Sequence, residues 1–177
     1  YRFLTEAGCA WVRPGKDGEY IPSKDISKIA VKVHEAASYR HRGICIEGSN
    51  SYENIENIID WAPKVGFNAY FFQFREAFTF FERWYSHRNN PLKKPEPFTV
   101  ERARDFVKRA EKEIKKRGLI YHAVGHGWTC EPFGIPGLSW EKGDYDVKPE
   151  VVKYLAEVNG KRELWGGIPL NTNLCYS

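Results

Sequence analysis

The strongest constraint on the fold is an alternation that begins near Tyr39. Three times, a short apolar run is followed by a loop and then by an amphipathic or helix-capped segment. The first run, "RGICIEG" from Arg42 to Gly48, is bounded by glycines, as a buried parallel strand should be. After it, Ser51 is suited to cap a helix whose apolar stripe is Ile55, Ile58, Ile59 and Ala62, with Gly66 closing it. "FNAYFFQF" reads as the second strand. A long loop, "REAFTFFERWYSHRNNPLKKPEP", leads to a helix from Thr99 that carries Glu101 early and Lys115, Lys116 and Arg117 late, as its dipole prefers. "LIYHAV" is the third strand, "GHGWTCEPFGIPGLSWEKGDYD" a second long loop, and Pro149 to about Asn159 a third helix. "NTNLCYS" would be the fourth strand.

Strand–helix alternation of this kind argues for a parallel sheet with right-handed crossovers. The loops after strands two and three are long, while the first two returns from helix to strand are short. That asymmetry fits a (β/α)8 barrel, in which function-bearing loops follow the C-terminal ends of the strands. An open doubly wound sheet is the alternative, but no GxGxxG follows the first strand. A whole barrel takes about 250 residues, so the expectation is the N-terminal half of a TIM barrel, strands one to four. Residues 41–177 form that half, 23–40 an extended connector or strand, and 1–22 the tail of a small α/β domain. The chain contains no methionine and opens on "YRFLTEAG", which resembles the end of a helix, so it reads as a fragment of a longer protein.

With 42% hydrophobic and 28% charged residues, the composition is that of an ordinary globular protein. The net charge of +4 comes largely from "RARDFVKRAEKEIKKRG", where acids and bases alternate on a solvated helix face. No basic stripe with interleaved aromatics predicts nucleic-acid binding, and no apolar run predicts a membrane span. Cys9, Cys45, Cys130 and Cys175 are scattered, with no zinc motif and no disulfide framework.

On the barrel expectation, polar residues at strand ends face the site: Glu47 after strand one, Gln73 and Arg75 after strand two, and His122, His126 and Trp128 in and after strand three. The long second loop adds Trp84, Tyr85, His87, Arg88 and Asn89. Bidentate donors and acceptors beside aromatic faces suit a sugar ring. Glu47 ends an apolar strand, where an unpaired charge is costly, which favours a functional or hydrogen-bonded role. Phe71, Phe72, Phe80 and Phe81 read as core, and Arg42 has an alternative reading as the partner of a carboxylate at the bottom of the sheet. His122, His126 and Cys130 are spaced four apart, but Gly125 and Gly127 and the strand character of "LIYHAV" deny that spacing a helix, so no metal is assigned.

Four motifs carry a family resemblance: "YRHRGICIEG", "FNAYFFQFREAFTFFERWYSHRNNP", "YHAVGHGWTCEPFGIPG" and "ELWGGIPLNTNLCYS". In this order they resemble a bacterial family, domain of unknown function 4838, that looks related to family 20 β-hexosaminidases and α-glucuronidases. The resemblance implies a carbohydrate-active barrel, a glycoside hydrolase acting on poly- or oligosaccharide without a cofactor, secreted or periplasmic. Arg42 matches a sugar-binding arginine, and His126 an active-site histidine, although Val124 stands where the family has proline. The acidic residues of such enzymes follow strand four, so the general acid is expected beyond Ser177, with His126 and Glu47 as supporting candidates here. The substrate-binding set is then Arg42, Glu47, Arg75, Trp84, His87, Asn89, His122, His126 and Trp128. Glycoside cleavage ordinarily needs two carboxyl groups, and no pair is assignable. Two other classes remain open: a non-catalytic carbohydrate-binding barrel, and a metal-dependent hydrolase using His122, His126 and Glu131. With the rest of the chain needed to close the barrel, the 177 residues alone are expected to be inactive and prone to aggregate.

Overall fold

The computed structural model describes residues 1–46, 50–72, 74, 77–123, 125 and 147–168. It is a mixed α/β structure with one parallel sheet at its centre. Helix α1 (Arg2–Glu6) leads to an antiparallel pair, β1 (Ala10–Trp11) and β2 (Glu19–Tyr20). An extended connector follows, interrupted by a 3-10 turn at Ile26–Lys28 that Asp25 caps. Then come β3 (Gly43–Cys45), α2 (Tyr52–Trp61), β4 (Ala69–Phe72), α3 (Phe78–Tyr85), α4 (Val100–Lys116) and β5 (Ile120–Ala123). Short pieces close the described chain: α5 (Pro149–Val152) and the hairpin β6 (Glu157–Val158) and β7 (Lys161–Arg162).

The parallel sheet has the order β3-β4-β5, each strand beside its sequence neighbour, with Ile44 opposite Tyr70 and Tyr70 opposite Tyr121. The expected strand–helix alternation is present through its third strand. Among the described residues the sheet does not close into a barrel, and the expected fourth strand, "NTNLCYS", lies outside them.

Side-chain period decides the two faces of the sheet. Ile44, Tyr70, Phe72 and Tyr121 join the core under the helices. Burial pushes the Tyr121 hydroxyl up to about 12. Helix α2 brings Ile55, Ile58 and Ile59 to this core, and α4 brings Ala103, Phe106, Ala110 and Ile114, one stripe at helical spacing. Ser51 caps α2 by accepting from the Asn54 amide at 3.1 Å, and Thr99 caps α4 by accepting from the Arg102 amide at 3.2 Å. Gly66, at φ 95°, ends the 3-10 extension of α2 in the left-handed conformation that a side chain would resist.

Two sequence expectations are corrected. The segment read as one long loop after the second strand contains α3, because Ala77, Phe80 and Phe81 recur at helical spacing and all three are buried. The helix expected from Pro149 to about Asn159 stops at Val152. Asn159 and Gly160 have φ 51° and 77°, as a two-residue hairpin turn requires, and they reverse the chain between β6 and β7.

The N-terminal piece is fastened to the end of α2. Trp61 Nε1 donates to the Trp11 carbonyl at 2.8 Å, and Lys64 bridges Glu19 and Asp60. Asp60 also accepts from Arg117 at 2.8 Å, and Arg117 reaches Glu113 at 2.5 Å, so one ionic chain links β2, α2 and α4. Burial works to raise the Asp60 pKa, but the hydrogen bonds from Lys64 and Arg117 outweigh it and hold the carboxyl below its ordinary value. A carboxylate depressed in the folded state stabilises above its unfolded pKa, and the stabilisation disappears as pH falls through the folded value. Unfolding in urea at a series of pH values should therefore show stability falling below about pH 4, and Asp60→Asn should flatten part of that fall. With the Asp60 side chain 44% exposed, solvent screening keeps the difference near or below about 1 kcal/mol.

Candidate ligand-binding face

Helices α2 and α4 run antiparallel to the strands, so their N-termini mark the C-terminal side of the sheet. The segment after β4 lies on that side. Tyr85, the last residue of α3, accepts a hydrogen bond at its hydroxyl from the Tyr52 amide, the first of α2, at 3.2 Å. Its ring stacks on Phe98, just before the cap of α4, with centroids 5.0 Å apart and planes 7° from parallel. The loop between these two rings is closed by the Glu96 amide, which donates to the Tyr85 carbonyl at 2.8 Å.

Inside the loop, His87 Nε2 lies 3.1 Å from Glu96 Oε1, and only 7% of the histidine side chain is exposed. Glu96 also meets Lys93 at 3.1 Å and Arg102 at 3.7 Å. Hydrogen bonds from His87 and Lys93 hold the Glu96 carboxyl below its ordinary value. His87 is thus turned inward, as a strut of the loop. Trp84 is 45% exposed, and Arg88, Asn89 and Asn90 are exposed beside it.

The backbone here is unusual. Non-glycine residues seldom occupy the left-handed region, and doing so costs about 1–2 kcal/mol for most of them, less for asparagine. Among the described residues four do, and three of them, Ala77 (φ 54°), His87 (φ 45°) and Asn89 (φ 61°), flank or occupy this one segment. Strain of this kind concentrates at binding and catalytic loops.

The second part of the face is the side of the parallel sheet away from the helices. His122 pairs in register with Phe71 and stacks on its ring at 6.1 Å. The ring of His41 meets His122 edge-on at 5.9 Å. Cys45 and Ile120 are exposed on the same side. His41 was not among the residues singled out from the sequence. Strand alternation, which sets His41, Gly43 and Cys45 on one side, carried the signal.

Arg42 stands at the other end of the sheet. Its guanidinium donates to the Gly66 carbonyl at 2.7 Å and to the Tyr39 carbonyl at 2.6 Å, while Asn68 Oδ1 accepts from its amide at 2.8 Å. The partner read from the sequence as a carboxylate is a pair of backbone carbonyls. Arg42 also lines a groove of ≈ 970 Å³ between the N-terminal piece and the lower end of the sheet. The other charges there are paired too: Arg2 with Glu35 at 2.7 Å, and Lys64 with Asp60 and Glu19.

The structure therefore brings Trp84, His87 and Asn89 together on the C-terminal side of the sheet, sets His122 on the open sheet face, and keeps Arg42 at the opposite end. Glu47, Gln73, Arg75, His126, Trp128 and Glu131 lie outside the described residues. Among the described residues no cluster of His, Cys, Asp or Glu could hold a metal ion, and no helix is long and apolar enough to cross a membrane. No protein-family model, curated protein or solved structure matches the chain. What fold and face define is a class: an α/β protein with a parallel sheet and a strained, prefolded loop at the strands' C-terminal side.

Proposed function

We propose that the parallel strands belong to a (β/α)8 barrel of a glycoside hydrolase, which binds a poly- or oligosaccharide at the C-terminal ends of its strands. The observation that carries this reading is the clustering of Ala77, His87 and Asn89, three left-handed non-glycine residues, in the segment after β4, beside exposed Trp84. In a barrel this is where substrate is held. A flat aromatic next to amide and guanidinium donors suits a hydroxylated ring. The barrel reading also accounts for the open sheet face, because parallel strands are normally covered on both sides. His122 would then face the interior, with Arg75, His126, Trp128 and Glu47 completing the set on neighbouring strand-end segments.

The test is cleavage by the full-length protein of aryl glycosides of N-acetylhexosamines and of glucuronic acid, with titration of the matching oligosaccharides. We expect turnover of at least one glycoside, and binding about tenfold weaker in Trp84→Ala, or ~1.4 kcal/mol. Neither turnover nor binding across the panel would sink the reading.

A further inference from the structure

We propose that Arg102 is a positioning residue that clamps the loop after β4 in its binding shape; the ligand part of this inference rests on the sugar-binding reading above. Arg102 belongs to the first turn of α4, outside the loop, and is not itself a member of the candidate ligand set. Its guanidinium lies over three rings: Tyr85 at 4.5 Å, Phe98 at 5.1 Å and Phe106 at 5.4 Å. The first two are the stacked pair that closes the loop, and the third belongs to the α2–α4 core. One nitrogen of the fork donates to the Pro97 carbonyl at 3.0 Å, and another faces Glu96 at 3.7 Å.

One planar cation thus holds both limbs of the loop against the rigid helix. The incoming limb is held through the ring of Tyr85, the returning limb through Phe98, Pro97 and Glu96. A guanidinium can stack and donate sideways at once, which an ammonium cannot. The loop it secures contains His87 and Asn89 in left-handed conformations, which persist only where the surroundings over-determine them. Releasing the clamp lets these residues relax and lets Trp84 and Asn89 lose their relative placement. Holding a binding loop in one shape before the ligand arrives raises affinity by removing the ordering cost from the binding step.

Two measurements on the full-length protein test this together. Hydrogen exchange is followed at the Glu96 amide, which closes the loop, with core amides of α4 such as Ile114 as the global reference. Titration uses N-acetylglucosamine oligosaccharides and glucuronic acid-containing xylo-oligosaccharides as probes. In Arg102→Ala, Glu96 is expected to exchange about tenfold faster, in line with a partly desolvated cation–π contact, while Ile114 is unchanged. Affinity falls several-fold in parallel. Arg102→Lys is intermediate in both, and Lys108→Ala, an exposed change on the same helix, alters neither.

Unchanged Glu96 exchange in Arg102→Ala overturns the clamp, as does equal acceleration at Glu96 and Ile114, which would make Arg102 a general stability residue. Faster Glu96 exchange with unchanged affinity overturns its positioning role. If the unsubstituted full-length protein binds none of the probes, the sugar reading falls, and the exchange comparison by itself decides the clamp.

Discussion

Phe81→Ala is expected to cost the protein about 3–5 kcal/mol, the range for removing a large aromatic from a packed core. Phe81 has no exposed surface and sits where the sheet, α3 and α4 meet. It packs edge-on against Phe80 at 5.1 Å and against Phe106 at 5.2 Å, and it also meets Phe72 and Phe98. The cavity left by alanine would open among aromatic rings that cannot collapse into it without leaving their rotamers. Since whole domains are stable by only about 5–15 kcal/mol, the urea midpoint should fall sharply with little change in slope. A midpoint within error of the unsubstituted chain would show that this aromatic cluster does not hold the structure together.

Gly18→Ala is also expected to be damaging, although it adds only a methyl group. Gly18 is buried in the turn between β1 and β2, and its backbone is not left-handed, so space rather than conformation excludes a side chain. A Cβ there would overlap the Arg13 carbonyl oxygen, which is backbone and cannot rotate away. The turn has to open, which breaks the bond from the Val12 amide to the Gly18 carbonyl at 3.0 Å and loosens β1. Overpacking of this kind costs about 1–3 kcal/mol. The expected signature is local: faster exchange at the Val12 amide and at the Trp61 indole N–H, which donates to Trp11, with core amides of α4 hardly affected. Uniform acceleration would place the turn inside the main cooperative unit instead.

Much of the parallel unit was legible in the sequence because its signals are local. The apolar stripe of α2, its Ser51 cap and Gly66 follow from spacing and backbone chemistry within a single helix. The same holds for α4 between Thr99 and Gly118, and for the runs that became β3, β4 and β5. Helix α3 was harder to read, because "FTFFERWY" is also an aromatic-rich loop composition. Only burial of Phe80 and Phe81 against Phe72 distinguishes the two. The β6–β7 hairpin carried its Asn159–Gly160 signal openly, but that signal competes with the helix-like "PEVVKYLAEV" before it.

The candidate site divides in the same way. That polar and aromatic residues collect after the second and third strands is a statement about order along the chain. Which of them point outward is decided by contacts distant in sequence. His87 reads like a ligand contact, yet Glu96 draws its ring inward. Arg42 reads like a charge awaiting an acid, yet its geometry satisfies it on the carbonyls of Gly66 and Tyr39. Arg102 reads as one more charge on a solvated helix, and only the stacking of Tyr85 on Phe98 gives it a role. By itself the sequence determined the alternation of strands and helices, because periodicity and capping act within a few residues. Tertiary structure alone decided which side chains are struts and which remain exposed, because hydrogen bonds and ring contacts form between segments that meet only after the chain has folded.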